Sequence, residues 1–305
     1  MKVAAIDVGT NSMRLLIADY EDGDFKSREK HINVTRLGLD VDRDGIIGEG
    51  AIQRNLDSLD EFGSLARREG CEEIWAIGTS ALRDSKNSDE FVKRAAEKSG
   101  IAVEIISGAA EADMGFIGVL QGLDRKDENI LVVDIGGGST EFIVGNKDGI
   151  KFIKSENIGA LRMTEKFLRQ DPVDTLEYGL MESYISEELD DTIDKVCKLN
   201  IKKVVGIGGT ITSVAAMLQE MEPYDMEKIH GSVIRYSEIS QLLGSLKNMR
   251  LSEKRMIKGL QPQRADIITA GVGILEIILR MICFDRMAVS EYDNLEGLIA
   301  KKMNI

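Results

Sequence analysis

Val133-Asp134-Ile135-Gly136-Gly137-Gly138-Ser139 is a near-copy of Ile6-Asp7-Val8-Gly9-Thr10-Asn11-Ser12. Each stretch closes an apolar, β-branched run (Val3 to Ile6; Ile130 to Val133) and leads into another (Leu15 to Ala18; Phe142 to Val144). The pattern predicts strand, glycine-bearing turn, strand, with a carboxylate at the mouth of each turn. Glycine lets such a turn aim backbone N–H groups at a phosphate, because no Cβ stands in the way. The adjoining Asp can hold a Mg²⁺ ion that neutralises the same phosphate. One copy would be a hairpin. Two copies point to a duplicated domain with one phosphate facing both turns, and three successive glycines cost backbone entropy that a plain turn would not require.

Outward from the first copy, residues 1–48 read as a strand meander with turns at Asp22-Gly23 and Asp44-Gly45. A helix over about 50–69 carries Ile52, Leu56, Leu59, Phe62 and Leu65 on one stripe. Strand Ile74 to Ile77 then runs into Gly78-Thr79-Ser80 at the start of a helix with Arg83 and Asp84. A further helix and strand Ala102 to Ile106 lead through Ser107-Gly108 into another helix. The second copy repeats this order: strands at 130–134, 141–145 and 150–154, then helices near 160–169 and 173–198. The longer of these shows a stripe of Leu176, Leu180, Ile185, Leu189, Ile193 and Val196. Strand Lys203 to Val205 enters Gly206-Ile207-Gly208-Gly209-Thr210, a third glycine turn at a strand-to-helix junction, where amides and the helix dipole favour anions. The remainder reads as helical up to a short strand near 287–289 and a last helix over about 293–303.

The bulk properties narrow the class. A chain of 305 residues favours two domains, placed at 1–124 and 125–305, and the last helix could pack back on the first. Its net charge of −13 argues against a nucleic-acid partner, which demands Lys and Arg. The most apolar segment, Ile267 to Cys283, carries Glu276 and Arg280 and so predicts a buried helix, not a membrane span. Strand residues begin almost at Met1, with no room for a signal peptide, and three scattered cysteines are expected to be buried reduced thiols. A cytoplasmic location follows as the expectation. Neither a Walker A turn nor a GxSxG elbow is present, and the two histidines, His31 and His230, have no partner motif.

Two residues admit competing readings. Arg83 is either a surface arginine paired with Asp84 or the bidentate ligand of an anion at a helix N-terminus. Glu111 follows Ser107-Gly108 at a helix start, where a carboxylate simply complements the dipole. Glu104 and Asp113 are comparable acids nearby, and spacing does not choose among them.

The paired DxG turns and the GxGGT turn resemble the actin/Hsp70/sugar-kinase superfamily. Within it, Gly78-Thr79-Ser80-Ala81-Leu82-Arg83-Asp84 and Ile106-Ser107-Gly108-Ala109-Ala110-Glu111-Ala112 are similar to the exopolyphosphatase and guanosine pentaphosphate phosphohydrolase family. Asp134 to Glu141, Gly159 to Glu165 and Arg264-Ala265-Asp266 extend the likeness over essentially the whole chain. It departs at Ala110, where the family has Glu, and at Leu295-Glu296-Gly297, where the family has Arg-Glu-Gly. With its end at Ile305, the chain resembles the short, two-domain members.

The resemblance implies an α/β fold of two ribonuclease-H-like (actin-like ATPase) domains facing across a cleft. It implies a hydrolase that releases the terminal phosphate of inorganic polyphosphate or guanosine pentaphosphate. Glu111 would be the base for the attacking water and Arg83 would stabilise the transferring group. Gly9, Thr10, Asn11 and Ser12, with Gly136, Gly137, Gly138, Ser139 and Thr140, would bind phosphate, as would Gly208 and Gly209. Asp7 and Asp134 would hold Mg²⁺, or Mn²⁺ in its place. A homodimer is the expected assembly. Two rivals stand beside this reading: a small-molecule kinase of the same superfamily and a non-catalytic sensor of polyphosphate or phosphorylated nucleotides.

Overall fold

The computed structural model describes residues 1–123 and 127–303. The chain divides into two compact units, one formed by Met1–Gln121 with the segment from Tyr292 onward, the other by Gly122–Glu291. The boundary expected between 124 and 125 lies outside the described residues.

The first unit opens with the antiparallel meander β1 (Lys2–Val8), β2 (Met13–Glu21) and β3 (Asp24–Asn33). After the short helix α1 (Val41–Asp44) come α2 (Glu49–Arg68), β4 (Glu73–Gly78), α3 (Ser80–Asp84), α4 (Ser88–Ser99), β5 (Val103–Ile105) and α5 (Gly108–Gln121). The strand order is β3-β2-β1-β4-β5, with β4 parallel to both β1 and β5. Ala4, Ile6 and Val8 of β1 point into one apolar cluster, Val3 and Ala5 into another. A strand covered on both faces must be apolar at every position, which is why β1 reads as a run and not an alternation. Ile52, Leu56, Leu59 and Phe62 of α2 fill the first cluster. Burying side chains of this size contributes about 1.5–3 kcal/mol each.

The second unit repeats the meander as β6 (Ile130–Ile135), β7 (Thr140–Asn146) and β8 (Gly149–Glu156). Helices α6 (Ala160–Phe167) and α7 (Thr175–Cys197) precede β9 (Lys203–Ile207) and α8 (Gly208–Leu218). Then follow α9 (Met226–Ile229), β10 (Val233–Arg235), α10 (Tyr236–Asn248), α11 (Leu251–Lys254), α12 (Ile268–Met281) and β11 (Arg286–Val289). The sheet order β10-β11-β9-β6-β7-β8 contains the mirror listing of the first unit's five strands plus one extra edge. The equivalence reaches register: Asp7 faces Arg14 and Ile77, and Asp134 faces Glu141 and Ile207.

The last helix, α13 (Asn294–Met303), belongs to the first unit, where Leu295, Leu298 and Ile299 pack with Val3, Ala5, Leu16 and Met114. Its backbone touches that of α5. A Cβ on Gly118 would stand 1.9 Å from the Asp293 carbonyl oxygen, and one on Gly297 1.8 Å from that of Met114.

Several expectations change. Gly45, at φ +68°, ends a helix and not a hairpin. Leu176 and Leu180 are 78% and 64% exposed, and the buried face of α7 runs instead through Tyr178 and Met181 to Ile185 and Leu189. The run expected to be helical before 287 contains the edge strand β10. Cys197 and Cys283 are exposed and Cys71 is half-buried. Among the described residues no helix is long and apolar enough to cross a membrane.

Candidate active site

In the first unit the chemistry gathers at the carboxyl ends of β1, β4 and β5. These parallel strands end level: Thr79 N–H donates to Val8 O and Ile106 N–H to Gly78 O. Turn Gly9 to Ser12 follows β1, α3 follows β4 and α5 follows β5. An open edge of this kind is where α/β sheets place ligands.

The first turn is closed by Gly9 N–H to Ser12 O at 3.2 Å, and a Cβ on Gly9 would lie 2.7 Å from that oxygen. It is braced from outside by Arg36 N–H to Asn11 O and Gly38 N–H to Thr10 O, both 2.9 Å. Asp7, Thr10, Asn11 and Ser12 are all buried. Asp7 Oδ2 accepts from Arg14 Nε (3.1 Å) and Nη2 (2.6 Å), whereas among the described residues Asp7 Oδ1 has no hydrogen-bond partner; nor has Asn11 Oδ1. Burial pushes the Asp7 carboxyl above its ordinary value, and Arg14 opposes that only in part.

Arg83 and Glu111 meet. Arg83 Nη1 donates to Glu111 Oε2 and to Ile106 O, each at 3.2 Å, while Asp84 is no nearer than 4.0 Å. Glu111 stands in the first turn of α5 and is 7% exposed. The other two acids turn elsewhere, Glu104 to Lys302 and Asp113 to Lys301. Of these three carboxylates, which spacing leaves unranked, Glu111 is the one that is buried and paired with an arginine.

In the second unit Gly136 N–H bonds Ser139 O at 3.0 Å, the same closure as in the first turn. The carbonyls of this turn are taken by the start of α6: Ala160 N–H to Gly136 O and Leu161 N–H to Gly137 O (both 2.9 Å), with Arg162 Nε to Gly138 O (2.7 Å). Thr140 Oγ1 donates to Ile158 O at 2.5 Å. The third glycine turn lies against the Asp134 carboxylate. Gly208 has φ +84°, and a Cβ there would fall 2.1 Å from Asp134 Oδ1. A Cβ on Gly209 would fall equally close to Nη1 of the buried Arg264.

No cluster of three His, Cys, Asp or Glu side chains able to cage a metal exists among the described residues. Mg²⁺ does not require one, since it commonly takes one or two carboxylates and keeps several waters. The partnerless, buried Oδ1 of Asp7 fits such an ion. Two residues that motif reading passed over belong to this neighbourhood, Arg14 and Asp293, and they are joined by Arg14 Nη1 to Asp293 Oδ2 at 2.7 Å. The only hint in the sequence was an arginine inside the apolar strand Met13 to Ala18.

Two sheets sharing one topology, each with an Asp at the mouth of a glycine turn, define a mixed α/β protein of the actin-like ATPase fold. The sequence pattern of the Ppx/GppA phosphatase family matches residues 16–304, and the chain belongs to that family. It is 40% identical to a bifunctional 3-dehydroquinate synthase/phosphatase of Fusobacterium nucleatum over 97% of this chain, but it spans only 46% of that relative. It is 33% identical to exopolyphosphatase 2 of Mycobacterium tuberculosis, with 97% of each chain covered. The crystal structure of the Aquifex aeolicus member of the Ppx/GppA family superposes with a TM-score of 0.82, at 32% identity, over 100% of this chain and 98% of the other.

Proposed function

We propose that this protein is an exopolyphosphatase that hydrolyses the terminal phosphate of inorganic polyphosphate, with guanosine pentaphosphate as a second candidate substrate. The observation that carries this reading is the pairing of Arg83 with the buried Glu111 at the strand ends that also hold the Gly9 turn. Glu111 takes a proton from the attacking water as its oxygen bonds to the terminal phosphorus. The bond from phosphorus to the bridging oxygen breaks, and the chain leaves one unit shorter. Arg83 and the amides of Gly9 to Ser12 and of Gly136 to Thr140 bind the phosphoryl oxygens and offset charge that builds on them. Gly208 and Gly209 add amides at the start of α8. Mg²⁺, or Mn²⁺, would be held by Asp7 and Asp134, and when bound it supplies charge neutralisation to the phosphate oxygens. We place the enzyme in the cytoplasm, as a homodimer.

The test is orthophosphate release from short polyphosphate, long polyphosphate and guanosine pentaphosphate, measured in parallel with Mg²⁺ on wild type and Glu111→Gln. Release that disappears in the variant supports the hydrolase, and the ranking of rates names the substrate. Binding of all three without release sinks the enzyme and leaves the sensor.

A further inference from the structure

The carboxylate Asp7 is held in an unusual way. Arginine pairs best with a carboxylate as a fork, two N–H groups to two oxygens. Here both Nε and Nη2 of Arg14 go to one oxygen, Oδ2, and the other oxygen is left bare. The third nitrogen explains why. Nη1 is engaged 2.7 Å away by Asp293 Oδ2, at the N-terminus of α13, 279 residues along the chain. Asp293 is itself fixed: its Oδ1 accepts from Leu295 N–H, its own N–H donates to Glu296 Oε2, and Lys30 Nζ reaches its Oδ2 at 3.1 Å. Lys30 also pairs with Glu296, which is completely buried and accepts from Arg28 as well. Three cations of β2 and β3 thus interlock with Asp7, Asp293 and Glu296.

We infer that Asp293 is a positioning residue for the metal-binding carboxylate: by holding Nη1 it keeps Arg14 from closing a fork on Asp7 and so reserves Oδ1 for a divalent cation. This inference rests on the proposed role of Asp7 as a metal ligand. Loss of the Asp293 charge frees the guanidinium to pivot until both oxygens of Asp7 are occupied. Supporting groups around a metal ligand commonly influence affinity by about 10–100-fold.

The experiment follows free Mn²⁺ by electron paramagnetic resonance as it is titrated into the intact protein without substrate. Asp293→Asn keeps the cap acceptor of α13 and is expected to weaken Mn²⁺ binding about tenfold or more. The charge-balanced pair Arg14→Met/Asp293→Asn removes the competing guanidinium and is expected to bind within a few-fold of wild type. Wild-type affinity in Asp293→Asn overturns the inference, and so does a double variant as weak as the single one, which would mark Asp293 as merely structural. If Asp293→Asn does not fold, Asp293→Glu, which keeps the charge but misplaces it by one methylene, carries the same expectations. Asp7→Asn separates the two levels. Unchanged binding there refutes Asp7 as a ligand, whereas weakened binding there with none in the Asp293 variant refutes only the positioning role.

Discussion

Glu111 and Arg83 lie 28 residues apart and become one unit of chemistry only when β4 and β5 end level. Glu111→Gln is expected to lower kcat for orthophosphate release by about 10²–10⁴-fold with little change in thermal midpoint, because the amide keeps the shape but cannot accept a proton. Arg83→Lys should also lower kcat, and the two losses should not add, since each variant disables the same pair; fully additive losses in the double variant would show that the residues act separately. A second residue-scale expectation concerns acid. Burial alone would raise the Asp293 carboxyl, but Arg14 and Lys30 outweigh it and hold the group well below the usual range. Its stabilising contribution is therefore complete above the unfolded value near pH ~4 and is lost as pH falls toward the folded one. Asp7, held above its ordinary value, contributes with the opposite sign. Urea midpoints from about pH 5 to 2.5 should fall less steeply in Asp293→Asn than in wild type. Spacing alone did not choose among Glu104, Glu111 and Asp113, because they differ in burial and partners, which spacing does not record; only the family resemblance pointed to Glu111.

At the scale of elements, the glycine turns were readable and their supports were not. Repetition of DxG between apolar runs announces both hairpins, since strand and turn chemistry are local. The contact of Gly159 with the second turn is not local: a Cβ there would meet the Gly137 carbonyl carbon and oxygen at 2.4 Å. Backbone cannot step aside as a side chain can, so Gly159→Ala is expected to cost more than about 1–3 kcal/mol in urea unfolding and to lower kcat as well. Gly23→Ala provides the contrast, with φ +82° but open space, and should cost only about 1–2 kcal/mol and leave kcat unchanged. Equal effects in the two would show that contact with the turn is unimportant. Helix stripes were less legible. Leu176 and Leu180 fit the apolar stripe read from the sequence, yet in that part of α7 it is Tyr178 and Met181 that face the core. Strand β10 escaped notice because three residues pairing along one edge carry no period of their own.

For the whole molecule, the doubled topology could be read from two seven-residue stretches, because each fixes the centre of a sheet around which the rest must wind. Charge is legible too, and it has a kinetic consequence. A chain of net charge −13 repels a polyanion at long range, and salt screens that repulsion over a Debye length of about 10 Å at 0.1 M. At fixed Mg²⁺, kcat/KM for long polyphosphate is expected to rise as NaCl increases to about 0.15 M; a steep fall would show that a local basic field governs capture. What composition could not show is the route of the chain, which leaves the first unit after Gln121 and comes back to it at Tyr292. That route sets an order of events at the ribosome. Gly122–Glu291 is one continuous stretch and can fold as soon as it has emerged. The first unit's leading segment, made before it, must wait with its β-strands lacking the cover of α13 until Gly122–Glu291 and that helix have been made as well, so the Asp7 carboxylate gains its full surroundings only after the second unit has been synthesised.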